Sequence, residues 1–588
     1  MLSPLNNDIL GHNIGIDNTT IVIHTSVKDI YRVSQCTFGI KIMQRSYSDR
    51  RNLLKKIGAA GGIGVGVTLA GCTDEVDDND ASGVGDDDDG PDAEEDTLVA
   101  TQPIWPESID PHLHNSSNTY DMINYTAYEP LLHREEATDE DGNYTQSTVP
   151  ALATDWEFVD DDETVVRFHL REGVTFHNGD ELTKEDVVYT YERAYDEDES
   201  PIGAPRITNL PQYDGIEAVE DEFAVDLYLT NASPLTTRRL AGGVVIVNRD
   251  VAESDDVDLT QEPIGTGPYE LEETVDGEYL EYAYYEDYWG EEPDFERLRW
   301  DVVPETQAQV SSVLADETDL AVEINPQGLE QISNDDVGHT EITPTDRSVF
   351  MQMRNVGDDN PPFQSPEFRE AMALAIDNEN ITENVVGQYG EPTATLAEDF
   401  MPESGDLEPY PHDPERAEEL VEESGFAGTE FELHTPQGRY LRDTEVAQAV
   451  VNDINQLPNV SAEVNIRDSN SWIDQLTSDN ASEQPEASIV GWGANDFLFK
   501  TAVVQCSLVE GSWGANCFDE LEELIDEANE IEEYDPYLEI AQEISQWLHE
   551  EHVGVWMYNS FNLYGLSDRV EYDPPIDEGV YPWEVERA

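Results

Sequence analysis

The sequence predicts an α/β protein, and three patterns lead to that class. From Leu98 onward, strand-like and helix-like segments alternate without an internal repeat. The hydrophobic fraction is only 38%, but ten Trp and 26 Tyr are spread along the chain, enough aromatic surface for a packed core. Everything ahead of Leu98 differs in composition, a basic and apolar leader followed by an acidic run. The chain's 588 residues allow several domain-sized units.

In chain order, the leader comes first. Arg50, Arg51, Asn52, Leu53, Leu54, Lys55 and Lys56 precede 14 uncharged residues, Ile57 to Ala70, and then Gly71 and Cys72. A basic segment followed by a short apolar one has the layout of an export signal. The arginine pair with its two leucines resembles a twin-arginine signal. LeuAlaGlyCys at 69–72 resembles a lipobox, in which Cys72 becomes the lipidated first residue of the mature protein. The apolar stretch is too short to cross about 30 Å of hydrocarbon. Residues 1–42 precede a signal that belongs at an N-terminus, so they are read as an extension, with translation starting at Met43 and Cys36 never made. Residues 43–72 form the signal. Residues 73–96 are almost wholly Asp, Glu, Gly, Ser and Asn, with Asp86 to Asp89 in a row, and are read as a disordered acidic tether.

Charge narrows the function classes. With 29 Lys and Arg against 130 Asp and Glu, the net charge is −101, which excludes nucleic acid as a natural partner. Beyond residue 71 the only lysines are Lys184 and Lys500. Such a surface repels itself in dilute buffer and is screened at molar salt, where the Debye length is about 3 Å. The expectation is a halophile's protein whose carboxylates are mostly solvated surface.

Within the body, Thr164 to Leu170 alternates as a strand, Asn178–Gly179 makes a turn, and Thr183 with Asp186 forms a capping box for a helix burying Val187, Val188 and Tyr191. Ser365–Pro366 opens a helix with Phe368, Met372, Ala375 and Ile376 on one face. Asp413–Pro414 opens another that stops at Gly425, and Asp535–Pro536 a third carrying Leu538, Ile544, Trp547 and Leu548. Val553 to Ser560 reads as a buried strand.

The order of certain segments adds a resemblance. SerIleAspPro at 108–111, TyrGluProLeuLeu at 128–132, ProAlaLeuAlaThrAspTrp at 150–156 and PheHisLeuArgGluGlyValThrPheHisAsnGlyAsp at 168–180 begin the series. IleGlyThrGlyProTyr at 264–269, PheArgGluAlaMetAlaLeuAlaIleAsp at 368–377 and AspProGluArgAlaGluGluLeu at 413–420 continue it. Together they resemble the peptide and nickel solute-binding proteins (family 5) of ABC importers, in a haloarchaeal-like version. The resemblance implies a two-lobed periplasmic-binding-protein-like cleft fold of type II, with a small extra domain in the first lobe. The implied division is 97–341 for lobe 1 with its inserted subdomain, 342–552 for lobe 2 and 553–588 for the return to lobe 1. It implies capture of di- or oligopeptides in a closing cleft, docking on the permease transmembrane subunits with their ATPases, and a monomer held to the outer face of the cytoplasmic membrane by its lipid anchor. No cofactor, metal or catalytic residue is expected.

The family places an Asp in a GlyTrp loop against a ligand ammonium. Here that loop is Gly491, Trp492, Gly493, Ala494, Asn495 and Asp496, so Asn495 stands at the family's Asp position. Either Asp496 takes over the role, or Asn495 binds by neutral hydrogen bonds, or Asp496 only caps a turn. Trp492 is a candidate cleft wall. Arg439, in a Gly- and Pro-marked loop, is the candidate for a ligand carboxylate, with pairing to neighbouring carboxylates as its alternative. His112, His114 and Asn115 resemble the first-lobe cleft segment. Cys506 and Cys517 enclose ten residues and are expected to pair outside the cell, as in some dipeptide-binding relatives. Asn115, Asn124, Asn143, Asn231, Asn380, Asn459 and Asn480 lie in sequons that permit glycosylation.

Other solutes, a nickel chelate or an oligosaccharide, remain open on the same motifs. A secreted hydrolase is the rival from another class. His549 and His552 flank two glutamates but do not match a zinc-protease motif and are read as a solvated helix end. No GlyXaaSerXaaGly elbow occurs.

Overall fold

Two long strands, Gly338–Met353 and Gly554–Ser567, pair antiparallel along nearly their whole length, from Gly338↔Ser567 to Gln352↔Gly554. The computed structural model describes residues 96–588 except 107, 114–119, 139–143, 196–212, 255–258, 336, 357–360, 388, 399, 479, 481–482, 495, 506–512 and 515. The expected signal, Cys72 and the tether therefore lie outside the described residues, as do His114, Asn115, Asn495 and Cys506.

The two long strands form the middle of an 11-stranded sheet. On one side of them lie Ala487–Gly493, Thr429–Pro436 and Val460–Arg467. On the other lie Leu320–Ala321, Thr97–Gln102, Arg297–Val302, Tyr279–Tyr284 and Tyr269–Val275, while the eleventh strand, Gly390–Pro392, pairs with the second long strand off this order. Each side has its own apolar core, one built around Phe350, Phe368, Trp472 and Trp556, the other around Leu98, Tyr282, Trp300 and Leu566. Two halves joined by two shared strands make a two-lobed α/β architecture. A separate four-stranded antiparallel sheet, ordered Ala153–Phe158, Val165–Leu170, Ala224–Leu229, Tyr213–Ala218, encloses a third core with the helix Lys184–Tyr195.

Local chemistry explains these elements. Val165–Leu170 buries every second residue, Val166, Phe168 and Leu170. The Asn178–Gly179 turn places Gly179 at φ +83°, and Asn178 Oδ1 accepts from the Asp180 amide at 3.0 Å. The capping box is reciprocal: the Thr183 amide donates to Asp186 Oδ2 at 2.8 Å and the Asp186 amide to Thr183 Oγ1 at 3.2 Å. Behind it Val187 and Tyr191 are buried and Val188 half-buried. Helix Pro366–Ala375 starts at a Ser365 cap and buries Phe368, Met372 and Ala375. Helix Pro414–Ser424 starts at an Asp413 cap and ends where Gly425 turns left-handed at φ +81°.

Two expectations change. The last long helix begins at Tyr534 rather than at Asp535–Pro536 and runs to Glu550. Pro536 is tolerated in its first turn because the early amides have no intrahelical acceptor. Tyr537 and Ala541 join Ile544 and Leu548 in its buried face, while Leu538 and Trp547 are half-buried. Nor are His549 and His552 a solvated helix end. Both stack on Tyr410, at 4.4 and 5.1 Å between ring centroids, His549 Nδ1 lies 2.7 Å from the Ala394 carbonyl, and burial pushes His552 down to about 4. Of the sequon asparagines, Asn124 is 2% exposed and donates to the Pro111 carbonyl, so the folded chain does not present it.

Glu129, 2% exposed, accepts from Trp289 Nε1 at 2.8 Å and Tyr288 Oη at 3.0 Å, and desolvation pushes its carboxyl up to about 7. A carboxyl raised by folding adds stability that is complete below its unfolded value and is lost as pH rises through the folded one. Between pH 4.5 and 7 this group's contribution, about 3 kcal/mol, should disappear. Melting scans at molar salt should find the wild type losing stability from pH 5 to 8 and Glu129→Gln losing less.

Candidate functional site

Strand Ala487–Gly493 ends beside the first long strand, with Gly493 opposite Arg347 and Trp492 opposite Ser348. Glycine is required here by crowding. A Cβ on Gly491 would lie 2.7 Å from Tyr440 Cε1, and one on Gly493 would lie 2.7 Å from Asp346 Oδ1. The Gly491 carbonyl accepts from Tyr440 Oη at 3.2 Å and from Arg347 Nη1 at 3.3 Å. Arg347 is also held by Glu578, with Nε to Oε1 at 2.9 Å, near the C-terminus of the chain.

Around this strand end the rings of Tyr440, Trp472, Trp513, Trp492 and Phe499 follow one another at centroid spacings of 5.3 to 6.2 Å. Trp492 is half-buried, and its indole Nε1 is shielded without a hydrogen-bond partner among the described residues. Arg439 is exposed, lies 5.7 to 5.9 Å from the Tyr440, Trp472 and Trp513 rings, and donates from Nε to Tyr440 Oη at 3.2 Å. It makes no ion pair with a described residue, so its alternative role, pairing with a neighbouring carboxylate, is not the arrangement observed. Trp492 and Arg439 thus share one aromatic wall through Trp513.

Asp496 is placed differently. Its Oδ1 caps the short helix Phe497–Lys500 by accepting from the Phe499 amide at 3.1 Å, and its Oδ2 is bound by Arg239 Nε. Both side chains of that pair are almost wholly buried, 2% and 1% exposed. Arg239 sits on helix Thr236–Leu240, which comes from the half carrying the four-stranded sheet. Leu235, just ahead of it, enters the opposite half's core. Asn231 Nδ2 donates to the Asn529 carbonyl at 2.9 Å, and Arg238 lies 3.8 Å from Glu403. The capping role is the one observed for Asp496, with a cation from the chain itself on its second oxygen. His112 is also structural here: 1% exposed, it lies between the Val245 carbonyl at 2.9 Å and Arg193 at 2.5 Å.

Beneath the strand end, Lys500 Nζ and Glu398 form a fully buried ion pair, and Lys500 also donates to the Asp346 carbonyl at 2.7 Å. Burial pushes the Glu398 carboxyl up, against the lowering pull of Lys500. Desolvation likewise pushes Asp346 up to about 8. Among the described residues no group of three or more His, Cys, Asp or Glu is arranged to hold a metal ion.

Residues 147–505 match the family model described as bacterial extracellular solute-binding proteins, family 5. The chain belongs to this family. The di/tripeptide-binding protein 2 of Pseudomonas aeruginosa is 26% identical over 455 residues, 72% of this chain and 82% of that one. Two solved structures share the two-lobed fold. The dipeptide binding protein of Pseudoalteromonas sp. SM9913, in complex with Met-Leu, has a TM-score of 0.73 at 20% identity, covering 84% of this chain and all of that one. NikA of Staphylococcus aureus, in complex with Ni(L-His)2, has a TM-score of 0.69 at 18% identity over the same shares.

Three aromatics of this wall, Tyr440, Trp472 and Trp513, were not singled out from the sequence; Tyr440 and Trp472 also belong to the core around Phe350, with Trp513 packed against it. Arg239 had a signal, an ArgArg pair in an acidic chain, in the last turn of a short helix.

Proposed function

We propose that this family 5 protein is the solute-capturing component of an ABC importer and that its solute is a short peptide, di- to oligopeptide in length, handed to the permease transmembrane subunits and their ATPases. The observation that carries the reading is Arg439, an exposed guanidinium that makes no ion pair among the described residues and stands at an aromatic wall with Trp492. A peptide supplies what that guanidinium lacks, a terminal carboxylate, with apolar side chains for the aromatic wall. The likeness to a di/tripeptide-binding protein over most of its length supports the same solute class. Calorimetric titration with alanine peptides of two to five residues at molar salt tests it. At least one should bind, and Arg439→Gln should weaken it 10- to 100-fold, the effect of losing a charged hydrogen bond of about 1.5–3 kcal/mol. Tight binding of a nickel–histidine complex with no peptide binding would favour the second reading, a chelated metal, which the fold likeness to NikA brings forward.

The finer parts of the reading belong together. The protein acts without catalysis, as an exported monomer anchored through Cys72 with the 73–96 tether between lipid and body, and lobes of 97–341 with 553–588 and of 342–552 close over the solute. Cys506 pairs with Cys517, as two cysteines ten residues apart in an exported protein are expected to do. The −101 charge supports a halophilic protein, and transfer to dilute buffer should unfold it, followed by circular dichroism.

A further inference from the structure

We propose that Glu323 receives the cationic group of the solute, opposite Arg439, so that the cleft selects ligands carrying both charges. This rests on the peptide reading above and assigns its second charged contact.

Glu323 follows strand Leu320–Ala321, in the half of the sheet opposite the Trp492 strand, and precedes the helix Pro326–Ser333 capped by Asn325. Its neighbours Val322 and Ile324 are each 2% exposed, while Glu323 itself faces solvent. Its backbone is left-handed at φ +56°, a conformation that costs a non-glycine residue about 1–2 kcal/mol. The chain is therefore held in a strained turn that directs a carboxylate outward between two core residues.

That carboxylate makes no hydrogen bond or ion pair with a described residue. Two guanidiniums, Arg347 and Arg439, act on it electrostatically, and Glu578 opposes them. Arg347 is committed to Glu578 and the Gly491 carbonyl, and Arg439 rests on its aromatic wall. Asp121, buried and bound to Gln102 Nε2 and the Val580 amide, and Tyr564 complete the charged and titratable groups acting with it. The turn that carries Glu323 packs beside the Arg439 loop, since Leu441 lies against the apolar cluster that holds Ile324, and desolvation pushes the Glu323 carboxyl up to about 7. An acid in a cleft, short of a cation and within electrostatic reach of an unpaired arginine, is complementary to a molecule with separated positive and negative ends.

The other candidate carboxylates are less suited. Asp496 already holds Arg239. Asp346 makes no side-chain hydrogen bond among the described residues but is 9% exposed and packed against Gly493.

The test uses the tightest-binding alanine peptide from the two-to-five-residue set and its N-acetyl form, titrated into wild type, Glu323→Gln, Glu323→Asp and Asp346→Asn at molar salt. Wild type should prefer the free amine at least tenfold. Glu323→Gln should bind the two forms within about twofold of one another, with N-acetyl affinity unchanged, and Glu323→Asp should keep part of the preference. Binding measured in two buffers of different ionisation enthalpy should release a fraction of a proton near pH 7 in wild type and less in Glu323→Gln. Preference for the free amine that survives in Glu323→Gln, or that is lost only in Asp346→Asn, overturns the assignment alone. Failure of the wild type to bind any alanine peptide overturns the peptide reading and the assignment with it.

Discussion

Arg239→Met should lower solute affinity by about two orders of magnitude or more while leaving the order of preference among solutes unchanged. The Arg239–Asp496 pair joins the two halves of the molecule and is almost entirely buried. Removing one partner of a buried pair leaves an uncompensated charge and costs about 3–5 kcal/mol. If the halves part at this pair when the cleft opens, that cost falls on the closed arrangement, in which Asp496 is buried. If solute binds the closed form, the apparent affinity falls with the closed population. Selectivity is spared because neither residue belongs to the Trp492–Arg439 wall. Screening by molar salt does not rescue the variant, as a buried pair is little affected by ions. Titration of Arg239→Met together with Arg239→Met/Asp496→Leu checks this: the double variant should recover much of the loss. Equal affinity in wild type and Arg239→Met would remove the pair from closure.

Lys500→Met should cost about 3–5 kcal/mol of folding stability at neutral pH, again because a carboxylate is left alone in the interior. Lys500 and Glu398 are both fully buried, and Glu398 Oε1 accepts a further bond from Ser348 Oγ at 3.0 Å. Without the ammonium, burial drives Glu398 further up and it takes a proton. The loss should therefore shrink as pH falls, since the unfolded chain then binds the proton as well. Lys500 also ties the Asp346 carbonyl of the long strand to the helix after Gly493. The expected effect thus reaches solute binding as well as melting. Denaturant unfolding of Lys500→Met and Lys500→Met/Glu398→Leu measures the first part, and the double variant should lie much closer to wild type. A single variant as stable as wild type at pH 7 would contradict this account of the buried pair.

The elements legible from sequence were those decided by neighbours in the chain. The capping box at Thr183 and Asp186, the Ser365 and Asp413 caps and the Gly425 stop depend on residues three to a dozen apart, and the structure has each of them. Where a partner comes from far away, sequence gave no warning. Arg239 meets Asp496 across 257 positions, and that distance separates a ligand carboxylate from a capped and paired one. Tyr410 reaches His549 across 139 positions and turns an apparent solvated end into a stacked one. In the candidate site, Trp492 was singled out by the GlyTrp loop of the resemblance and Arg439 by its Gly- and Pro-marked loop in an acidic chain. Glu323 was not, because among 130 acidic residues a single carboxylate carries no signal until its surroundings are known.

The central claim, that the cleft holds a short peptide, is tested most directly by native mass spectrometry of the protein purified at the highest tolerated salt, with fragmentation of any small molecule that accompanies it. A family of bound peptides with free amino and carboxyl ends is the result expected. A protein that carries instead a sugar or a metal chelate, and releases no peptide, would contradict it.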